Sequence, residues 1–185
     1  IAHFGNECSR CQLSFETQAI YDFHHLDPQA KEYTLGQIAL RGWERIEAEI
    51  LQKCIMLCCV CHRITHHLIR KDKETKNPPA DSTRRRRENK RKLIVQFGES
   101  CKDCQKHFDF DIAYDFHHRD PSTKVCEVAR LLPGSWKRIL QEAAKCDMLC
   151  GNCHRKRHAL SQEPDDTNEL ENDDESATDS DDPSQ

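Results

Sequence analysis

The sequence predicts a small α+β fold built twice in tandem, on the strength of three observations. The first is a repeat: Cys8-x2-Cys11, then Tyr-Asp-Phe-His-His-x-Asp-Pro over 21–28, then Leu57-Cys58-x2-Cys61-His62-Arg63-x2-His66. All of it returns as Cys101-x2-Cys104, 114–121 and Leu149-Cys150-x2-Cys153-His154-Arg155-x2-His158. The offset is 93 residues through Trp43/Trp136 and 92 from Cys54/Cys146 onward, so the copies differ by one residue in between. Self-similarity at this period signals two copies of one structural unit. The second is size: each copy spans about 68 residues, too few to build a large core, so a metal staple is expected. The third is a change of hydrophobic period within each copy, from strand-like to helical.

Taken in order, Ile20 to His25 and Ala113 to His118 read as short strands entering a Pro turn. With a period of two, Asp22 and His24 share one strand face and His25 takes the other. Trp43, Ile46, Ile50 and Leu51 follow helical spacing, as do Trp136, Ile139, Leu140 and Ala143, with Ser135 as N-cap. Those stripes are core, and the tryptophans carry no functional role. A second helix starts from Cys61, which sets His62 and His66 at i and i+4 on one face. His154 and His158 repeat that geometry. Residues 70–83 read as a polar, flexible connector with a Pro-Pro break. Residues 84–97 form a basic helix ending at Phe97-Gly98, with Leu93, Ile94 and Phe97 as a short apolar face; Phe4-Gly5 is the matching point in the first copy. From Ser161 the chain is one-signed in charge and poor in apolar residues, hence disordered. The division is therefore 1–69, first module; 70–92, basic linker; 93–160, second module; 161–185, acidic tail.

The net charge of -4 hides a partition. Residues 161–185 hold 11 acidic residues and no Lys or Arg, whereas residues 70–92 sum to +7. The phosphate-seeking charge lies in the linker, at Arg84, Arg85, Arg86, Arg87, Lys90, Arg91 and Lys92. No apolar run approaches the roughly 18 residues of a membrane span.

Twelve cysteines in a short chain fit either disulfides or metal ligation, but eight fall in C-x2-C pairs beside histidines, which is zinc-ligand spacing. Cys8, Cys11, Cys58 and Cys61 form one set; Cys101, Cys104, Cys150 and Cys153 form the other. One backbone turn presents two thiolates, and two such knuckles complete a tetrahedral structural zinc site. Thiolate ligation places the protein in a reducing, intracellular compartment, such as cytoplasm, nucleoid or nucleus. Cys54 and Cys146 read as small buried residues. Cys59 and Cys126 have no cysteine counterpart and read as incidental, and His3, His67 and His107 read as surface histidines.

Beyond the cysteines, each copy holds four histidines that a structural zinc does not need. The order His-His … Cys-His-x3-His around a four-cysteine cage resembles the HNH endonucleases of the ββα-metal superfamily. The resemblance covers both copies, and implies two tandem zinc-stapled ββα-metal modules. It further implies catalytic-ion ligands at His24, His62 and His66, and at His117, His154 and His158. His25 and His118 would be the general bases. One departure stands out: the family's middle Asn, which holds the hairpin loop, is Lys53 in one copy and Lys145 in the other. Asn152, inside a C-x2-C, is no substitute.

The residue types suit the chemistry. Phosphodiester hydrolysis needs a base near neutral pKa, which histidine supplies untuned, and a cation at the phosphate. Three imidazoles leave open positions on Mg, Mn, Ni or Zn. Asp22 and Asp115 orient a histidine or serve the strand; Arg63 and Arg155 follow the first helix ligand as candidate phosphate contacts. The expected activity is metal-dependent cleavage of double-stranded DNA by a monomer acting as a covalent pseudo-dimer, one site per strand. The alternative is a zinc-stabilised nucleic-acid-binding protein without catalysis.

Overall fold

The computed structural model describes residues 4–29, 43–72 and 79–161, apart from the side chains of Trp43, Arg45 and Asp72. The expectations for Trp43 as core and for a disordered tail beyond Ser161 lie outside the described residues. Each module is a strand, a helix, an antiparallel partner strand and a second helix, so the topology is ββα-like. In the first module these are β1 (Tyr21–His25), α1 (Trp43–Lys53), β2 (Cys54–Cys58) and α2 (Cys59–Asp72). A helix α3 (Asp81–Gln96) leads into the second module: β3 (Tyr114–His118), the single turn α4 (Val128–Leu131), α5 (Trp136–Ala143), β4 (Cys146–Cys150) and α6 (Gly151–Leu160). The hairpins share one register: Tyr21 pairs with Cys58 and His25 with Cys54, as Tyr114 pairs with Cys150 and His118 with Cys146.

Local chemistry explains the knuckle that precedes each first strand. Gln12 and Gln105 adopt positive φ, 58° and 57°, closing the turn after each C-x2-C pair. Ser9 N–H donates to the Met56 carbonyl, and Lys102 N–H to that of Met148, at 2.9 Å each, which docks the knuckle on β2 and β4. The recurring strand tyrosine adds a clamp: the Tyr21 hydroxyl donates to the Asn6 carbonyl and accepts from Phe15 N–H. Tyr114 does the same with Glu99 and Phe108. Those bonds leave both hydroxyls satisfied, and for the fully buried Tyr114 that is the condition for burying a tyrosine at all.

The modules are not beads on a string. One continuous apolar cluster runs through both, joining Ile20, Leu57, Val60 and Ile64 to Ile94, Ala113, Tyr114 and Leu149. Helices α2 and α6 pack together, and each also packs on the short 3-10 turn ahead of the other module's first strand, Asp111–Ala113 and Gln18–Ile20. Cys59 is fully buried at this contact. Its positional counterpart is Gly151, where an added Cβ would lie 2.9 Å from Cys59 Sγ. Cys59 is thus not incidental, because the pseudo-symmetric contact has room for one side chain and the other copy supplies glycine.

The basic residues over 84–92 lie on a helix whose Leu93 and Ile94 are buried. Residues 70–72 continue α2, and 81–92 lie in α3, which is docked on the second module. Leu93 and Ile94 are fully buried, Arg85 and Arg86 donate to the carbonyls of Gly134 and Ala129, and Asn89 donates to that of Leu132 at 2.7 Å. Arg91 pairs with Glu99 and Asp111. The apolar face of α3 wins because burying two branched side chains stabilises by several kcal/mol, about 1.5–3 each. No helix among the described residues is long and apolar enough to cross a membrane.

Candidate metal centres

The four predicted thiols of each copy converge: Cys8, Cys11, Cys58 and Cys61, and again Cys101, Cys104, Cys150 and Cys153, have their sulfurs within 4.8 Å of one another. Thiolates about 2.3 Å from a tetrahedral zinc are about 3.8 Å apart. The spacings Cys11–Cys58, 4.0 Å, and Cys104–Cys150, 3.9 Å, match that edge. The crowded sulfurs perturb one another in opposite directions: hydrogen bonding from Cys61 draws the Cys58 thiol down to about 5, while that same bond and burial push Cys61 up. Cys101 is likewise pushed down by Cys150 and Cys153, and Cys150 up by Cys101. Both cages therefore suit a structural metal such as zinc.

A second pair of clusters comes from the histidines. His24 on β1 meets His62 and His66 on α2, and His117 on β3 meets His154 and His158 on α6; in each, the candidate ligand nitrogens lie within 4.8 Å of one another. The i, i+4 pairs bring Nε2 to Nε2 at 3.0 Å and 3.1 Å. Nitrogens bound about 2.1 Å from one ion are about 3.0 Å apart at a right angle, so the pairs fit a shared ion. Burial and the neighbouring rings depress the His24 and His117 pKa values, favouring the neutral imidazole that a metal requires.

Each triad has a carboxylate behind it. Asp22 Oδ2 accepts from His62 Nδ1 at 3.0 Å, and Asp115 Oδ2 from His154 Nδ1 at 3.2 Å. This assigns the proton to Nδ1 and leaves Nε2 for an ion. Burial alone would raise both carboxyls, but the histidine bond and an arginine outweigh it and hold them below the usual aspartate value. Those arginines come from the other module: Arg155 Nη1 donates to Asp22 at 2.9 Å and Arg63 Nη1 to Asp115 at 2.7 Å. The predicted arginine positions are thus engaged with aspartates.

His25 and His118 lie on the opposite strand face, as strand alternation requires, and each meets a carboxylate that sequence reading passed over. His25 Nε2 is 3.2 Å from Glu49 Oε1 and His118 Nε2 is 2.9 Å from Glu142 Oε1. Both glutamates are buried, 5% and 4% exposed, and pair with Lys53 and Lys145 at 2.6 and 2.8 Å. The Lys145 hydrogen bond draws the Glu142 carboxyl down to about 2 against the cost of burial, with His118 assisting. The signal was available: Glu49 and Glu142 recur at the same 93-residue offset as the motifs. The pair also ties down a loop. Glu142 accepts from Val125 and Cys126 N–H, and Lys145 donates to the Thr123 carbonyl, so these two side chains hold the loop after β3.

In the second module the triad and His118 line one open cavity of about 420 Å³ together with Asp115, Arg63, Lys124 and Lys90. Lys90 reaches it from α3 and makes no hydrogen bond or ion pair among the described residues; burial lowers its pKa. His62 and His66 border a smaller recess of about 340 Å³ with Arg63, Arg70 and Ile112. No family model, curated protein or solved structure matches this chain.

Proposed function

We propose that the protein is a metal-dependent DNA endonuclease with one hydrolytic centre per module, acting as a covalent pseudo-dimer on a duplex. The observation that carries this reading is the convergence of one strand imidazole and two helix imidazoles in each module, backed by an aspartate and distinct from the cysteine cage. A divalent ion held by such a triad would neutralise the scissile phosphate and stabilise the leaving 3′ oxygen. His118 donates through Nε2 to Glu142, which leaves Nδ1 as the basic nitrogen able to take a proton from water. The buried Glu142 carboxylate stabilises the imidazolium that results. His25 and Glu49 form the equivalent pair. Lys90, which makes no ion pair among the described residues although Asp115 on the same cavity wall acts on it electrostatically, suits a backbone phosphate, and the exposed basic side chains of α3 extend that surface along a duplex.

Supercoiled plasmid incubated with Mg, Mn, Ni or Zn tests this. Wild type is expected to linearise it, and His25→Ala and His118→Ala each to stop at the nicked circle. Full linearisation by either single variant would remove the one-site-per-strand arrangement while leaving a nuclease. DNA bound but uncut with every metal would make the protein a zinc-stabilised nucleic-acid binder instead.

A further inference from the structure

The modules are cross-linked at their metal triads by the same pair of contacts, used twice. Arg63 directly follows His62, yet its guanidinium holds Asp115, the carboxylate behind His154 in the other module. Arg155 directly follows His154, yet it holds Asp22, the carboxylate behind His62. We propose that Arg63 and Arg155 are positioning residues acting in trans, each orienting the other module's histidine triad through that module's aspartate. The proposal rests on the triads being metal sites, not on the reaction a bound ion supports.

Helix geometry favours service in trans, although Arg63 also borders the recess of its own module's histidines. A residue one position after a ligand projects about 100° around the helix from it, away from the ion the i, i+4 pair faces. That direction points Arg63 and Arg155 across the interface, where α2 and α6 touch. Gly151 makes the crossing possible on one side: an added Cβ there would lie 3.1 Å from Arg63 Nη1 and 3.2 Å from its Cζ. The geometry at the aspartate then does the orienting. A carboxylate held by a guanidinium has little freedom to rotate, so the oxygen facing the imidazole stays in place and with it the tautomer and ring angle. Asp22 divides the task, with Oδ1 to Arg155 and Oδ2 to His62; Asp115 uses Oδ2 for both.

The test uses the full chain with zinc in both cysteine cages and reads histidine ring ¹⁵N shifts before any ion is added to the triads. In Arg63→Ala, His154 is expected to lose its Nδ1–H tautomer preference while His62 keeps its own; Arg155→Ala reverses the pattern, and Arg63→Lys restores much of the signal. A second arm measures Ni²⁺ affinity. With His62 and His66 replaced by Ala, only the second triad remains, and Arg63→Ala should weaken it by about 10-fold, the lower end for loss of an outer-shell partner. With His154 and His158 replaced instead, Arg63→Ala should leave the first triad unchanged. An effect of Arg63 on its own module, or on neither with both zincs retained, overturns the proposal. If Arg63→Ala sheds zinc, Arg63→Gln carries the same comparison with less lost packing. Triads that bind no ion in any variant would overturn the proposal together with the metal-centre reading it rests on.

Discussion

Replacing Glu142 with alanine removes one carboxylate that four donors share. Oε1 takes Val125 N–H at 2.8 Å, Cys126 N–H at 3.3 Å and His118 Nε2 at 2.9 Å, and Oε2 takes Lys145 Nζ at 2.8 Å. Hydrogen bonds to a charged acceptor are worth about 1.5–3 kcal/mol each, but bonds to one oxygen do not add. The Lys145 share is small, under about 1 kcal/mol, because its side chain keeps 32% of its exposure and water replaces the contact. The dominant loss is at the buried His118, which finds no new acceptor; the Val125 amide is only part-buried, in a residue 79% exposed, and water can replace its contact. The net cost is about 2–3 kcal/mol. At about 2–4 °C per kcal/mol for a fold of this size, melting drops by roughly 4–12 °C. A thermal melt followed by far-UV circular dichroism, with zinc content measured in parallel, reads this directly. Glu142→Gln keeps an acceptor for the amides and should lose about half as much. A drop of less than about 2 °C in the alanine variant, with zinc retained, would refute the view that this carboxylate organises both His118 and the loop.

Other outcomes follow from the same geometry. Cys101→Ser should lower bound zinc from two equivalents to one, and loss of a structural zinc should melt the knuckle and β4 with it; atomic absorption and circular dichroism check this. Lys90→Ala should weaken DNA binding several-fold and reduce its salt dependence, measured by fluorescence anisotropy across an ionic-strength series. The Glu142 carboxyl lies lower in the folded chain, about 2, than the ordinary 4.5. Its contribution is therefore full above about pH 5 and is lost as pH falls toward 2, so the stability gap between wild type and Glu142→Gln should narrow on acidification from pH 6. Urea midpoints at each pH test that sign.

Much of each metal site was legible because its geometry is local. A C-x2-C turn presents two sulfurs without help, and His62/His66 share a helix face by period alone. The repeat then paired distant knuckles by symmetry. Glu49 and Glu142 escaped notice because they sit in an apolar helical stripe, where a carboxylate reads as a solvated position until its partners are seen. Lys53 and Lys145 read as a missing Asn for the same reason. The short apolar face of the basic helix was visible in Leu93, Ile94 and Phe97, but not the elements on which it docks.

The sequence by itself determined the cysteine sets, the strand and helix that carry each histidine cluster, and the doubling of the whole arrangement. Those follow from residue type and short-range periodicity, which backbone geometry converts into shape. Only the tertiary structure decided which arginine serves which aspartate. Arg63 and Asp115 are 52 residues apart, and Arg155 and Asp22 are 133 apart. A guanidinium after a ligand reads alike whether it faces solvent, phosphate or the neighbouring module. Packing of α2 on α6 selects the last, because the shared core sets the two helices side by side.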